Sequence, residues 1–454
     1  MNDKISSDIL QLIDKDIATR YEIVPFASDG KSCRCYGVAG KDYTDVLKVL
    51  KAIRSLDFEV LFLPQDEFNR IFLSNYRTLV NVRVGSADFL NSLISEAYQS
   101  YCSDIHFECY ESRYRIRFRI DGRLIEKYAL EKPQYIALVN QVKIMSSLDI
   151  AEKRLPQDGR IFYKDNGTRF DVRVSVMPSI YGEKVVMRLL TRHPELLVLD
   201  NLGLTSKQLK DYKDAAGRPH GMILVSGPTG SGKSTTLYAT LSMLNDVERN
   251  ILTVEDPVEY TLEGVNQVQV KEEIGMTFAT ALRTFLRQDP DIIMVGEIRD
   301  QETAEIAVRS SLTGHLVLST LHTNSALGCI SRLSEMGIST YLQAETLNLL
   351  VSQRLVRLLC PTCKRPYRYS DEMTFYKKTG CAECYYTGYK GRKAIYEVIT
   401  VDGMIAENLR HGQMSDLDVR NRGLTTLADS ALSLLKDGLT SLEEVVSFID
   451  VKEI

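Results

Sequence analysis

The chain has 454 residues, too many for one ordinary core, which implies two to four domains. Hydrophobic residues make up 44% and charged residues 26%, the balance of soluble globular domains. A formal net charge of −4 excludes a global basic field that would recruit nucleic acid or an anionic membrane, leaving only a local basic face.

Met1-Asn-Asp-Lys-Ile-Ser-Ser-Asp8 lacks the basic start and apolar core of a signal peptide. No apolar run approaches the ~18–20 residues of a membrane-spanning helix. The expectation is a cytoplasmic chain without a transmembrane segment, linked to a membrane only through partners. Nine cysteines in that compartment are not expected to form a disulfide framework.

Residues 1–85 read as a small α/β module. Tyr21–Phe26 and Cys33–Val38 are expected to be strands around an Asp29-Gly30 turn. Val46, Leu47, Val49, Leu50 and Ile53 give a helical stripe, and Phe58–Leu63 a third strand. No chemically active cluster occurs here, so docking to a partner is expected over a purely structural cap.

Residues 86–195 read as a sheet-rich domain with one cationic face. Tyr114, Ile116, Phe118 and Ile120 alternate with Arg113, Arg115, Arg117 and Arg119, which sends the apolar set to a core and the arginines to the other face. Asp121-Gly122 and Asn166-Gly167 are expected to close hairpins. Phe170, Val172, Val174 and Val176 alternate with Arg169, Asp171, Arg173 and Ser175, and Lys184–Leu190 is a further strand carrying Arg188. These arginines are either ordinary solvated charges or groups that reach a phosphate in trans. His106 reads as a hydrogen-bonded structural histidine. Residues 196–205 read as a linker, and a helix is expected from Thr205 or Ser206 to Gly217.

Residues 206–454 carry the chemistry. The apolar run Met222–Val225 leads into Gly227-Pro-Thr-Gly-Ser-Gly-Lys-Ser234, and Leu237, Leu241 and Leu244 follow at helical spacing. Strand, glycine-rich loop and helix form the context of a P-loop. Gly227, Pro228, Thr229, Gly230, Ser231 and Gly232 would cradle phosphate oxygens with backbone N–H groups, helped by the helix dipole. Lys233 would reach the β- and γ-phosphates, and Ser234 would bind Mg²⁺.

Three more apolar strands end in polar residues: Ile251–Val254 before Glu255, Ile292–Val295 before Glu297, and Leu316–Thr320 before His322. Ligands of open parallel sheets sit at such strand ends, so these three side chains are expected to converge on the γ-phosphate. Glu297 stands at the position of a Walker B acid, with Gly296 where an Asp is usual. Magnesium is therefore expected on Ser234 and on water bonded to Glu297 or Glu255. His322 could sense the γ-phosphate or bond a carboxylate. Asp291, at a strand's start, reads as a cap or turn residue. Arg283 and Arg287, spaced i, i+4 on an expected helix, and Arg299 are candidates for charge networks near the nucleotide or for helix salt bridges.

Cys360-Pro-Thr-Cys363 and Cys381-Ala-Glu-Cys384 are two C-x₂-C pairs separated by 17 residues, the spacing of a four-thiolate structural zinc knuckle. The segment from 397 to 454 is helical in pattern, with Thr440–Glu443 expected as a capping box.

Together these motifs resemble the ATPases of type II secretion and type IV pilus assembly (the GspE/PilB group). The resemblance is carried by Ser103-Asp-Ile-His106, Arg117-Phe-Arg-Ile-Asp-Gly122, Leu155-Pro-Gln-Asp-Gly-Arg160 and Gly227 to Thr235. Thr253-Val-Glu-Asp-Pro-Val-Glu-Tyr260, Arg287-Gln-Asp-Pro-Asp291, Val295-Gly-Glu-Ile-Arg-Asp300 and Thr313-Gly-His-Leu-Val-Leu-Ser-Thr-Leu-His322 complete it. Two departures stand out: Cys109 follows Glu108 where many members have Pro, and the N-terminal region is short for the group.

The resemblance implies an α/β fold with a RecA-like P-loop motor domain, a preceding PAS-like α/β domain and a small N-terminal α/β module. It implies a homohexamer using ATP, Mg²⁺ and Zn²⁺, with nucleotide between the two larger domains. Glu297 matches the group's catalytic glutamate, Glu255 its Asp-box acid and His322 its second His-box histidine. Arg173 and Arg188 match its phosphate-facing arginines, and Arg283, Arg287 and Arg299 further arginines of the motor.

The implied activity is ATP hydrolysis that powers assembly of a pilus or secretion pseudopilus. It would work at the inner membrane through a platform protein and a cytoplasmic docking partner, acting on pilin-like subunits indirectly. A retraction ATPase of the same superfamily is the alternative, disfavoured by the cysteine pairs and the N-terminal module. A RecA-like nucleic-acid translocase is disfavoured by the charge and the absence of Trp.

Overall fold

The computed structural model describes residues 5, 7–10, 12–13, 15–54, 56–75, 87–111, 113–165, 168–190, 197–368, 373–412 and 424–449. The Asn166-Gly167 turn and the expected boundary near residue 85 lie outside them. The chain divides into two compact units. The first is Met1–Thr191 with Cys360–Lys364 and Lys378–Tyr389, and the second is Arg192–Leu359, Arg365–Lys377 and Lys390–Ile454.

In the first unit, β1 (Ile23–Ser28), β2 (Ser32–Val38) and β3 (Asp57–Leu63) form a small sheet, β1–β2 antiparallel and β2–β3 parallel. Asp29 Oδ1 accepts from Lys31 N at 2.9 Å and from Ser32 N at 2.6 Å, which builds the expected turn from its own side chain. The first strand starts later than its apolar pattern suggests. Lys15–Tyr21 is a helix, and Glu22 breaks it with φ of 50°. On the helix Thr44–Arg54, Val46 and Leu50 are buried, whereas Val49 and Ile53 face solvent.

The larger sheet of this unit is antiparallel, with strands β4 (Cys102–Cys109), β5 (Tyr114–Ile120), β6 (Arg123–Leu130), β7 (Gln157–Asp165), β8 (Thr168–Ser179) and β9 (Gly182–Leu190) in the order β6-β5-β4-β9-β8-β7. Period-two alternation sends Ile116, Phe118, Val172, Val174, Val185 and Met187 into one core with the helices Ala87–Gln99 and Lys132–Met145. Asp121 and Gly122, with φ of 49° and 79°, close the β5–β6 hairpin as expected.

The second unit is built on a seven-stranded sheet in the order β12-β11-β13-β14-β10-β15-β18. Its strands are β10 (Gly221–Ser226), β11 (Ile251–Glu255), β12 (Val265–Gln269), β13 (Ile292–Val295), β14 (Leu316–Leu321), β15 (Leu347–Leu359) and β18 (Tyr389–Thr400). Two short strands, β16 (Arg365–Arg368) and β17 (Thr374–Lys377), pair outside it. Strands β10 to β14 and the β10–β15 pair are parallel.

Alternate residues of each strand feed two cores. Met222, Leu224, Ile293 and Val317 lie in one, and Ile223, Val225, Met294 and Leu318 in the other. A sheet covered on both faces explains why these strands read as unbroken apolar runs. Thr205 and Gln208 form a reciprocal cap on the helix Ser206–Ala216, where the sequence placed it.

The expected cap at Thr440 does not form. The Thr440 hydroxyl donates to the Arg357 carbonyl at 2.8 Å, and the last helix, Leu442–Val445, starts after Ser441. The capping box of this region is Thr426 with Asp429, on the helix Leu427–Lys436.

Candidate functional site

The P-loop leaves β10 at Ser226 and enters the helix Lys233–Leu244. Gly227 has φ of 150° and Gly232 φ of 90°. A Cβ on Gly227 would lie 2.5 Å from the Gln353 carbonyl, and one on Gly232 2.8 Å from Gln353 Nε2, so only glycine fits either position. Lys233 Nζ folds back to donate to the carbonyls of Gly227 at 2.8 Å and Pro228 at 3.2 Å. The Ser231 hydroxyl is buried without a partner among the described residues. A glycine-rich loop with a buried, unpartnered hydroxyl and a lysine resting on its carbonyls, at the start of a helix, suits a chain of phosphate oxygens. Ser234 is exposed in the first turn of the helix, open to a cation on that phosphate.

Because β10, β14, β13 and β11 are parallel neighbours, their C-terminal ends share one edge of the sheet with this loop. Glu297 follows β13 by two residues and is the hub. The Arg299 guanidinium pairs with it, and His322 Nε2, just past β14, lies 3.3 Å from its other oxygen. Arg299 also faces Asp256 at 3.7 Å. The bond to Glu297 raises Arg299 above the usual arginine value. Burial holds Lys233 below the usual lysine value, and the Glu297 carboxylate opposes that shift, which couples loop and strand end electrostatically. A Cβ on Gly296 would lie 3.2 Å from the Val254 carbonyl and 3.3 Å from Glu255 Cα, so any side chain there presses on backbone.

Glu255 is a different kind of acid. It is buried, and both of its oxygens are engaged: Oε1 by Thr253 Oγ1 at 2.7 Å and Gln267 Nε2 at 3.1 Å, Oε2 by the Tyr238 hydroxyl. Arg283 pairs with Glu302. The helix Phe278–Phe285 ends before Arg287, whose Nη1 donates to the Arg283 carbonyl at 2.8 Å, so the two arginines do not form an i, i+4 helical pair. Asp291 accepts from Asn250 N at 2.7 Å, which ties the starts of β13 and β11 together rather than capping a local turn.

Sequence reading passed over Tyr238, Gln353 and Arg354. Gln353 supports the P-loop from beneath, its Oε1 accepting from the Thr236 hydroxyl at 2.8 Å. Arg354 donates to the Gln353 carbonyl at 2.9 Å and the Asn324 carbonyl at 3.0 Å. The signal is in the sequence: the apolar run Leu349–Val351 also ends in polar residues, like the strands before Glu255, Glu297 and His322.

Arg173 and Arg188 belong to the first unit. Arg119, Asp104, Arg188, Arg173 and Arg160 are successive cross-strand partners on β5, β4, β9, β8 and β7, and hence share one face of that sheet. Arg188 Nε donates to Asp104 Oδ1 at 2.8 Å, and Arg160 pairs with Asp171. Next to this row, Arg115 and Arg117 grip Glu108 at 2.8 and 2.5 Å. Burial would raise Glu108, but these bonds outweigh it and hold the carboxyl below its usual range. For Arg115 and Arg117 the ordinary ion-pair reading therefore holds. His106 differs from its expectation: it is buried, and neither ring nitrogen has a hydrogen-bond partner among the described residues. Burial lowers its pKa, and Arg119 adds to the effect.

Cys360, Cys363, Cys381 and Cys384 converge in the first unit, their sulfurs all within 4.8 Å of one another. Three of the separations are 3.8, 3.8 and 3.7 Å. Tetrahedral zinc with bonds of about 2.3 Å to sulfur requires sulfurs about 3.8 Å apart. Backbone N–H groups of Gly380, Cys381 and Gly388 lie 3.2, 3.2 and 3.3 Å from the sulfurs. Four thiolates this close together would repel one another, so the cluster suits a bound cation. The knuckle rests on the six-stranded sheet's domain: Tyr385 OH lies 3.1 Å from Ser100 Oγ, and Lys127 Nζ sits 4.4 Å from the Tyr385 ring centre.

Comparison with known proteins gives one consistent picture. The family profile "Type II/IV secretion system protein" matches residues 85–447. The chain is 50% identical over 374 residues to "Type II secretion system protein E" of Dickeya dadantii, covering 79% of this chain and 74% of that one. It is 42% identical over 493 residues to "Type IV pilus assembly ATPase PilB" of Myxococcus xanthus, covering 97% and 87%. Among solved structures, "Crystal Structure of the Pilus Retraction Motor PilT and Bound ADP" is similar with a TM-score of 0.57 and 28% identity, over 80% of this chain and 98% of that one.

Proposed function

The chain belongs to the type II/IV secretion system protein family, and from that premise we propose that it is an ATP-hydrolysing motor that drives assembly of a type IV pilus or a secretion pseudopilus. The observation that carries the reading is the cluster of Lys233, Glu297, Arg299 and His322 at the shared edge of the parallel sheet.

In this mechanism the P-loop N–H groups and Lys233 hold the β- and γ-phosphates. Ser234, and Glu297 by way of water, would hold magnesium, which would supply charge neutralisation on the phosphate oxygens. Glu297 also orients the attacking water and accepts its proton, since its carboxylate stands at the strand end. Arg299 keeps that carboxylate aimed, and His322 reports on the γ-phosphate side. Glu255 acts by holding structure. Arg173 and Arg188 take the role the resemblance implies for them, charge facing the phosphates, and Arg283 and Arg287 serve the charge network of the motor domain.

The domain limits read from the sequence belong to the proposal: a docking module at 1–85, an arginine-bearing domain at 86–195, a linker at 196–205 and the motor domain from 206. So do a homohexamer in the cytoplasm and docking at the inner membrane through a platform protein and a cytoplasmic partner. Among the described residues no helix is long and apolar enough to cross a membrane. Zinc in the knuckle is proposed as a structural metal.

The test pairs two substitutions. Lys233→Ala should abolish ATP hydrolysis and fibre assembly together. Arg173→Ala should reduce hydrolysis far more than nucleotide binding. Assembly that survives Lys233→Ala overturns the motor reading, and equal losses of binding and hydrolysis in Arg173→Ala overturn the division of labour.

A further inference from the structure

Tyr238 lies on the P-loop helix, five residues after Lys233, with its ring fully buried. A tyrosine there would pass as core packing, but its hydroxyl is used twice. It donates to Glu255 Oε2 and accepts from Glu259 N at 3.2 Å. The ring meets Tyr260 edge-on, centroids 4.5 Å apart at 83°. Burial pushes the phenol far above its usual value, so it remains a donor at every working pH.

The far side of Glu255 is equally fixed. Thr253 and Gln267 bond Oε1, and Gln267 reaches on to the segment after β11, donating to the Tyr260 carbonyl at 3.1 Å and accepting from Leu262 N at 2.8 Å. Glu255 is thus the knot that ties the P-loop helix to β11, β12 and the 256–262 segment. The residue after the knot, Asp256, faces Arg299, and Arg299 pairs with Glu297. A carboxylate held by three donors is a good anchor.

We propose that Tyr238 is a positioning residue for hydrolysis: through Glu255 it sets where Asp256 and Arg299 stand, and thereby where Arg299 holds Glu297. The P-loop helix and the water-orienting acid then move as one piece when phosphate occupies the loop. The inference rests on the reading that this site hydrolyses ATP.

The test uses the full chain with Tyr238→Phe, Glu255→Gln, the double variant and Lys233→Ala, read by steady-state hydrolysis, binding of a fluorescent ATP analogue and thermal melting. Tyr238→Phe keeps the ring and removes only the oxygen. It should lower kcat about tenfold or more, the scale of a lost hydrogen bond to an ionised carboxylate, while KM and analogue binding stay within about twofold. Since the hydroxyl acts through Glu255, the double variant should be no slower than Glu255→Gln alone. A kcat within about twofold of the parent in Tyr238→Phe overturns the proposal, as do losses that multiply in the double variant or analogue binding that falls in step with kcat. If Lys233→Ala hydrolyses at the parent rate, the site reading itself has failed. If only Lys233→Ala is dead and Tyr238→Phe is normal, the failure belongs to Tyr238.

Discussion

Gly232→Ala tests the P-loop at the point where the structure makes the cost calculable. Gly232 has φ of 90°, and an alanine in the left-handed region costs about 1–2 kcal/mol. The new methyl would also lie 2.8 Å from Gln353 Nε2. That amide is the end of a side chain, but it is not free to swing away. Gln353 is 2% exposed, and its Oε1 accepts from the Thr236 hydroxyl at 2.8 Å. Moving it breaks a buried hydrogen bond, worth about 1 kcal/mol.

The total is about 2–3 kcal/mol against the conformation of the loop that binds phosphate. A surface loop escapes such strain by local rearrangement, so the penalty falls on binding through a reduced population of the competent loop. Titration with a fluorescent ATP analogue should show affinity about 30- to 150-fold weaker. Adding Gln353→Ala removes the collision and leaves the left-handed term. A double-mutant cycle should therefore return about 1 kcal/mol of favourable coupling. Affinity within threefold of the parent in Gly232→Ala, or no coupling in the cycle, would refute the reasoning.

Two further outcomes follow from the other unit. His106 is held neutral below the ordinary imidazole value of 6.5, so the unfolded chain binds the extra proton first. Its contribution to stability is complete above pH 6.5 and is lost as pH falls through the folded value. The urea midpoint of the parent should thus drop more between pH 7.5 and 5.5 than that of His106→Leu, and equal drops would remove His106 from the account. The knuckle should hold one zinc per chain by elemental analysis, with apparent binding free energy of about 10–16 kcal/mol. Chelation should speed hydrogen exchange in residues 378–389 together with the segments around Ser100 and Lys127, and unchanged exchange there would contradict a metal-organised knuckle.

What was legible in the sequence was what each segment states on its own. An apolar run ending in Glu297 or His322, a glycine loop before a helix, and two cysteine pairs each declare their chemistry within ten residues. What was not legible depends on partners brought by another strand. The alternation around Arg115 and Arg117 gave the right face, but Glu108, which pairs with both, comes from β4 across the hairpin. Glu255 carries the same signal as Glu297 at its strand end. Only the three-dimensional positions of Tyr238, Thr253 and Gln267 separate an anchored acid from one aimed at the site. Thr440 looked like a cap because the pattern was present, and the Arg357 carbonyl took its hydroxyl instead.

The knuckle has a further consequence for how this protein can be cut into pieces. The chain passes from one compact unit to the other after residues 191, 359, 364, 377 and 389. Cutting the chain after residue 191 leaves an N-terminal fragment that lacks part of its own fold and a C-terminal fragment that still carries that part. Expression of the motor domain alone, from residue 206 onward, takes along the four cysteines and Tyr385 but leaves behind Ser100 and Lys127, on which they rest. The two units share chain the way two pages share a stitched thread. Dissection at the expected linker therefore yields a fragment with an orphaned four-cysteine lobe, and the natural unit of study is the whole chain.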